Sequence, residues 1–228
     1  MLRRIIKTAV LAVVLTAMVS MPAVSQSERI LEVQDVLNRM EDALNRVPGF
    51  QANYQLQNGD YTSRGTIVYK SPFFLRMASQ TDGSMIISNG KVLWVYMPRF
   101  AVVAEQDLIT SEREYQLLLT SDREGLRHLR RDYSFQFAPG GRNDANHYIL
   151  DLRPRVSKIG FKSIRLWVDR ETGLTSRVES MTINNRPVNV TFTNLEIKDD
   201  IDNNIFWFGV PDGTIQTIRN TILPDTGR

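Results

Sequence analysis

From Phe50 onward the hydrophobic pattern has a period of two, and this rhythm limits the fold more than any other feature of the chain. Phe50, Ala52, Tyr54 and Leu56 fall on one face of an extended segment, and Gln51, Asn53, Gln55 and Gln57 on the other. Such alternation marks a strand with one dry side. "NGDYTSRG" turns the chain, "TIVYK" runs back, and "FFLRMAS" follows Pro72 with Phe73, Leu75 and Met77 on one face and Phe74 and Arg76 on the other. Residues 84–103, "SMIISNGKVLWVYMPRFAVV", read as two strands about an Asn-Gly turn. The second of these carries Leu93, Trp94, Val95, Tyr96 and Met97 without interruption, so both of its faces need cover. Strands resume at "YSFQFAP", "NHYILDLRP", "FKSIRLWVDR", "LTSRVESMTIN", "PVNVTFTNLEIK" and "IFWFGVP", parted by "PGGRND", "DRETG", "NNRP" and "DDIDNN". About ten or eleven strands at hairpin spacing, without repeat or linker, predict one mainly β (α+β) domain built on a strongly curved antiparallel sheet.

Helices are few. In "SERILEVQDVLNRMEDALNRVPGF", Ile30, Val33, Leu37, Met40, Leu44 and Val47 recur at steps of three and four, and Pro48-Gly49 stops the run. Ser27 suits its N-cap and Glu28 its first turn. Residues 107–131 break the strand rhythm, and Ser111 together with Ser121 or Asp122 marks the starts of one or two short helices. One helix covers only part of such a sheet, so the concave face requires further helices or a ligand. The strand around Trp94 is expected to have core on one side and a covered cavity or lid on the other.

Arg3, Arg4 and Lys7 lead into "TAVLAVVLTAMVSM" and "PAVSQ", which reads as a signal peptide over 1–25 cleaved after Ser25. The apolar run is short for a bilayer span. Three of the 28 Lys and Arg residues and none of the 25 Asp and Glu residues lie in that segment, so the formal charge of +3 belongs to it alone. The remaining domain, 26–228, is balanced, and net charge gives no support to a nucleic-acid partner. An exported chain with no cysteine must rely on burial and sheet hydrogen bonding. A monomeric protein of the periplasm is expected.

Chemistry-bearing clusters are sparse. His128 and His147 sit in no metal-binding spacing, and nucleophile-elbow, phosphate-loop and zinc-protease patterns are absent. Asp200, Asp202 and Asn204 resemble the start of a calcium loop, but Ile205 stands where the turn glycine is needed and Pro211 where a bidentate Glu would close the site. That stretch reads as a polar turn. Arg123, Arg127, Arg130 and Arg131 form a stripe along one helix, either solvated or facing an anionic surface. Neither metal nor cofactor is expected, and no enzyme.

Four elements coincide in order: the helix ending "ALNRVPGFQANYQ", the hairpin "RGTIVYKSPFFLRM", "IISNGKVLWVYMPRF", and the terminal "NLEIKDDIDNNIFWFGVPDG". Together they resemble the LolA family of periplasmic outer-membrane lipoprotein carriers, most specifically in Ser88 to Pro98 and Phe206 to Gly213. The resemblance implies an unclosed antiparallel barrel capped by helices, whose apolar interior receives acyl chains of lipoproteins. Partners implied are lipidated lipoproteins, an inner-membrane lipoprotein-releasing transporter and an outer-membrane acceptor. The candidate acyl lining is Met40, Leu44, Val47, Phe50, Tyr54, Ile67, Phe73, Leu75, Met77, Trp94 and Tyr96, with Met40, Met77, Met85 and Met97 as pliable contacts; the pattern leaves open whether Trp94 and Tyr96 or Leu93, Val95 and Met97 point inward. The family commonly has Arg-Pro after the second strand, the arginine tethering the lid; here Ser71 precedes Pro72, and Lys70 is the substitute candidate. The alternative from the same fold is a periplasmic lipid- or lipoprotein-sensing domain of an envelope-stress regulator. A lipid hydrolase lacks a visible nucleophile and base.

Overall fold

The computed structural model describes residues 31–108, 123–156 and 161–219. A helix, α1 (Val33–Arg46), precedes the hairpin meander β1 (Gly49–Asn58), β2 (Tyr61–Lys70), β3 (Phe74–Ser79), β4 (Met85–Asn89), β5 (Val92–Met97) and β6 (Val102–Asp107). A second helix, α2 (Arg123–Asp132), leads into β7 (Tyr133–Phe137), β8 (His147–Pro154), β9 (Phe161–Asp169), β10 (Thr175–Thr182) and β11 (Pro187–Ile197), and β12 (Gln216–Arg219) comes last. These strands form one twelve-stranded sheet in the order β12-β6-β5-β4-β3-β2-β1-β11-β10-β9-β8-β7. The two meanders are thus wings joined through β1 and β11, antiparallel from Phe50↔Ile197 to Asn58↔Val188. With β7 and β12 at its two ends, the sheet is a curled barrel that does not close.

Helix α1 starts at Val33 behind Glu32, whose carboxylate accepts from the third helical N–H while the Asp35 carboxylate accepts from the Glu32 N–H at 2.9 Å. This reciprocal cap sits nearer the apolar stripe than the expected Ser27, which lies outside the described residues. The helix ends at Arg46, ahead of Pro48 and Gly49. Val36, Leu37, Met40, Ala43 and Leu44 are its buried face.

Three expectations change. Val102–Asp107, of which only Val102 and Val103 fall within an expected strand and Asp107 within the expected helical span, is strand β6, paired with β5 from Met97↔Val102 to Val92↔Asp107. "IFWFGVP" is not a strand: Asn203–Phe206 is a 3-10 turn, capped by the Asp202 carboxylate accepting from the Asn204 N–H at 2.9 Å. Two of its aromatic residues lie on the sheet by their side chains, Phe206 fully buried 5.3 Å from the Phe74 ring and Phe208 5.7 Å from Tyr96, while Trp207 and Val210 are exposed. A period of two reports an extended chain with one dry side, and that side can rest on a sheet as well as belong to one. Finally, β12 pairs in parallel with β6, Gln216↔Val102 to Arg219↔Glu105, through a segment that carries no run of apolar residues.

Candidate functional site

Register decides which side chains meet. Across the first wing, Phe50, Tyr69, Leu75, Ser88, Leu93 and Gln106 lie in one row, and Ala52, Ile67, Met77, Ile86, Val95 and Ala104 in the next. Both rows lie on the face that α1 covers, since Phe50, Ala52, Ile67, Tyr69 and Leu75 share one buried cluster with Val36, Met40 and Leu44. The second wing adds Tyr148, Leu150, Leu152, Ile164, Leu166 and Val168, and α2 adds Leu126 and Leu129. The concave face is therefore apolar over both wings, and two helices fill it. Several polar groups there are satisfied locally: the Tyr54 hydroxyl lies 3.2 Å from Ser63 Oγ, which donates to Ser79 Oγ at 3.0 Å, and Ser88 Oγ donates to the Phe73 carbonyl at 3.0 Å. Tyr133, fully buried under α2, has its phenol pushed up to about 12 by burial.

Of the eleven candidate lining residues, Met40, Leu44, Val47, Phe50, Tyr54, Ile67 and Leu75 belong to this cluster, and Met77 packs half-buried against it. Phe73 is half-buried just before β3. Trp94 and Tyr96 do not share that face. They pair with Ile87 and Met85 across β4 and pack with Val103 and Phe208 in a separate cluster on the convex side. The same correction moves Met85, while Met97 stays in step with Leu93 and Val95. Among the described residues, the second face of β5 is covered by Phe208 of the C-terminal segment.

Lys70 is likewise reassigned. Its Nζ donates to the Ile201 carbonyl and to Asn203 Oδ1, both at 2.7 Å, and Arg76 Nη1 donates to the Ile205 carbonyl at 3.0 Å. Both cations hold the C-terminal segment to the convex face, because alternation along β2 and β3 turns them away from α1. The Ser71 N–H donates to the Pro48 carbonyl at 2.8 Å. Residues 109–122 of the expected lid lie outside the described residues; its described helix, α2, is tied to α1 by Arg130 Nη1 and Glu41 Oε2 at 2.6 Å. That ion pair borders a cleft of about 340 Å³ lined by Glu41, Leu126, Arg127 and Arg130. No cluster of three metal-ligating side chains occurs among the described residues.

The second wing and α2 are absent from the candidate lining, although "NHYILDLRP" carries Tyr148, Leu150 and Leu152 in strict alternation. That signal was sufficient to find them. On the opposite face of the same strands Asp151, Arg165 and Glu179 border a cleft of about 430 Å³, where Arg165 Nε donates to Asp151 Oδ1 at 2.6 Å. That bond raises the Arg165 pKa further, so this cleft is a charged surface unsuited to an apolar ligand.

A curled, unclosed antiparallel sheet with helices over an apolar concave face defines a class of half-barrel. Within it, the chain belongs to the family described as "Outer membrane lipoprotein carrier protein LolA", which matches residues 47–209. It is 24% identical over 190 residues to an outer-membrane lipoprotein carrier protein of Francisella philomiragia, across 78% of this chain and 87% of that one. An uncharacterized conserved protein of Thermus thermophilus shares the fold at a TM-score of 0.52 and 12% identity, across 82% of this chain and 98% of that one. The MucA/MucB complex structure of Pseudomonas aeruginosa matches at a TM-score of 0.49 and 16% identity, over 77% of this chain and 60% of that chain.

Proposed function

We propose that this protein carries the acyl chains of lipoproteins on its concave face, moving them through the periplasm from an inner-membrane releasing transporter to an outer-membrane acceptor. Residues 1–25 would direct export and then be removed, leaving 26–228 as one monomeric carrier domain. The observation that carries the reading is that one continuous apolar face spans both wings of an unclosed sheet and is filled by two short helices rather than by a second sheet. Burial of acyl chain is worth about 0.8 kcal/mol per CH₂, or on the order of 12 kcal/mol for a ~16-carbon chain. A site that offered all of this would never release its cargo.

Here the chain must displace apolar contacts that α1 and α2 already make, so the net affinity is a difference between two similar burial terms. Polar ties to be broken among the described residues include Arg130 to Glu41, and Arg39 Nη1 to the Arg170 carbonyl at 3.0 Å. Exposed ties of this kind are worth little each. Hand-over then needs only a modest bias from the acceptor. The test is displacement of an apolar fluorescent probe from the purified protein by a triacylated lipopeptide, with the same peptide unacylated as control. One-to-one displacement by the acylated peptide alone is expected. Equal behaviour of the two peptides would sink the reading.

A further inference from the structure

We propose that the slit beside Thr175 is a subsite for one neutral acyl carbonyl, so that the protein tells ester-linked chains from ether-linked ones; this rests on the carrier reading above. β11 pairs with β1 along nearly its whole length, from Val188 to Ile197, but with β10 only from Met181↔Pro187 to Arg177↔Thr191. Beyond Thr191 the sheet wall parts. The gap is a cavity of about 190 Å³ lined by Leu174, Thr175, Ser176, Phe192 and Leu195, with Asp169 and Thr172 at the turn. Leu174 and Phe192 are also members of the buried concave cluster, so the slit meets the apolar interior from the side.

Thr175 is 1% exposed, and its hydroxyl is the one buried side-chain polar atom without a hydrogen-bond partner among the described residues. Other buried hydroxyls are paired: Ser63 with Ser79, Ser88 with the Phe73 carbonyl, Ser180 with the Val188 carbonyl at 2.5 Å. Neighbouring polar groups of the slit are already engaged. Asp169 Oδ1 accepts from the N–H and hydroxyl of Thr172, and Ser176 Oγ donates to the Trp167 carbonyl at 3.3 Å. Leaving a buried donor unmade is costly, and Thr175 is one of the residues that line the slit, beside Leu174, Phe192 and Leu195.

The chemistry of the occupant follows. A water needs two to four polar partners, and around Thr175 the walls of the slit are the apolar Leu174, Phe192 and Leu195. A phosphate, sugar or ionised carboxylate would leave most of its acceptors or its charge unmatched. A neutral acyl carbonyl accepts one hydrogen bond and is otherwise flanked by methylenes. The volume is below the roughly 300–1,000 Å³ of a whole-ligand pocket, so the slit takes one end of a chain whose tail lies on the concave face. The turn before Thr175 is held to α1: Gly173 has φ +74, and a Cβ there would lie 3.0 Å from the Arg39 carbonyl oxygen and 3.1 Å from Ala43 Cβ. Displacement of α1 by a chain therefore moves the slit as well.

Thr175→Val keeps the shape and removes the donor. Wild type and variant are titrated by probe displacement with a short-chain diacyl phosphatidylcholine and its dialkyl ether analogue of equal length. Wild type should bind the ester about three- to tenfold tighter, the net worth of one hydrogen bond. Thr175→Val should bind the ester as it binds the ether, with ether affinity unchanged and a melting temperature no lower than wild type; Thr175→Ser should keep the preference. An ester preference that survives in Thr175→Val, or none in wild type, overturns the subsite alone. If neither lipid displaces the probe from wild type, the subsite is overturned, while the carrier reading stands or falls on the lipopeptide displacement.

Discussion

Truncation of Met40 separates a binding face from an ordinary core. Met40 is 1% exposed on the α1 stripe that fills the concave face. Met40→Ala removes three heavy atoms beyond Cβ; at about 0.8 kcal/mol per buried methylene the transfer loss is about 2.4 kcal/mol. The unfilled hole raises the total to about 2–5 kcal/mol. If acyl chains bind by replacing α1 contacts, the hole opens space where the chain lies. Recovery of only about 1.4 kcal/mol of the loss would tighten binding tenfold. Urea unfolding measures the first quantity, and displacement of a bound apolar probe by a triacylated lipopeptide measures the second. Trp94→Ala is the matched control, because Trp94 is also buried but packs with Ile87, Val103 and Phe208 on the convex side. It should cost about 3–5 kcal/mol and leave uptake unchanged. Lost stability without tighter uptake in Met40→Ala, or an equal change of uptake in Trp94→Ala, would refute the assignment of ligand to the concave face.

Three further outcomes are expected. Lys70→Met strips the Ile201 carbonyl and Asn203 of a charged donor, so it should cost about 1–3 kcal/mol and speed amide exchange across 201–208 while leaving 33–46 protected. Gly65→Ala places a Cβ 1.9 Å from the Ala78 carbonyl oxygen, forcing β2 and β3 apart; a loss of at least about 1–3 kcal/mol in thermal unfolding is expected, and an unchanged melting temperature would show that the two strands are not so close. Asp82 is held well below the usual carboxylate range, first by the Tyr61 hydroxyl donating at 2.6 Å, then by Ser79 and Ser84. A depressed folded-state pKa contributes stability that is full above the ordinary value of 3.8 and is lost as pH falls through the folded value. Tyr61→Phe should raise the Asp82 midpoint in a carboxyl NMR titration and reduce stability above pH 3.8, the difference from wild type fading in stronger acid.

Local patterns carried much of the architecture. The three-and-four spacing from Val33 to Leu44 specified α1, and alternation from Phe50 to Leu56 and again in β3 specified strands with a dry side. These are properties of one helix or one strand meeting one apolar layer, so neighbouring residues suffice to state them. Four ordered motifs pointed to the LolA family, and the match over 47–209 agrees.

Alternation says which residues share a face but not which face is concave, and a strand apolar on both sides is silent on the matter. Trp94 turned outward because Ile87 pairs with it, while Leu93 pairs with Ser88 in the row of Leu75 under α1. Phe206 and Phe208 could have joined a strand or lain upon one; Lys70 and Arg76, distant in sequence, hold them to the convex surface. The slit at Thr175 exists only because β11 outruns β10. Chain order alone determined the periods and the family; pairing between residues far apart in the chain decided inside from outside, since a face is buried only by what is brought against it.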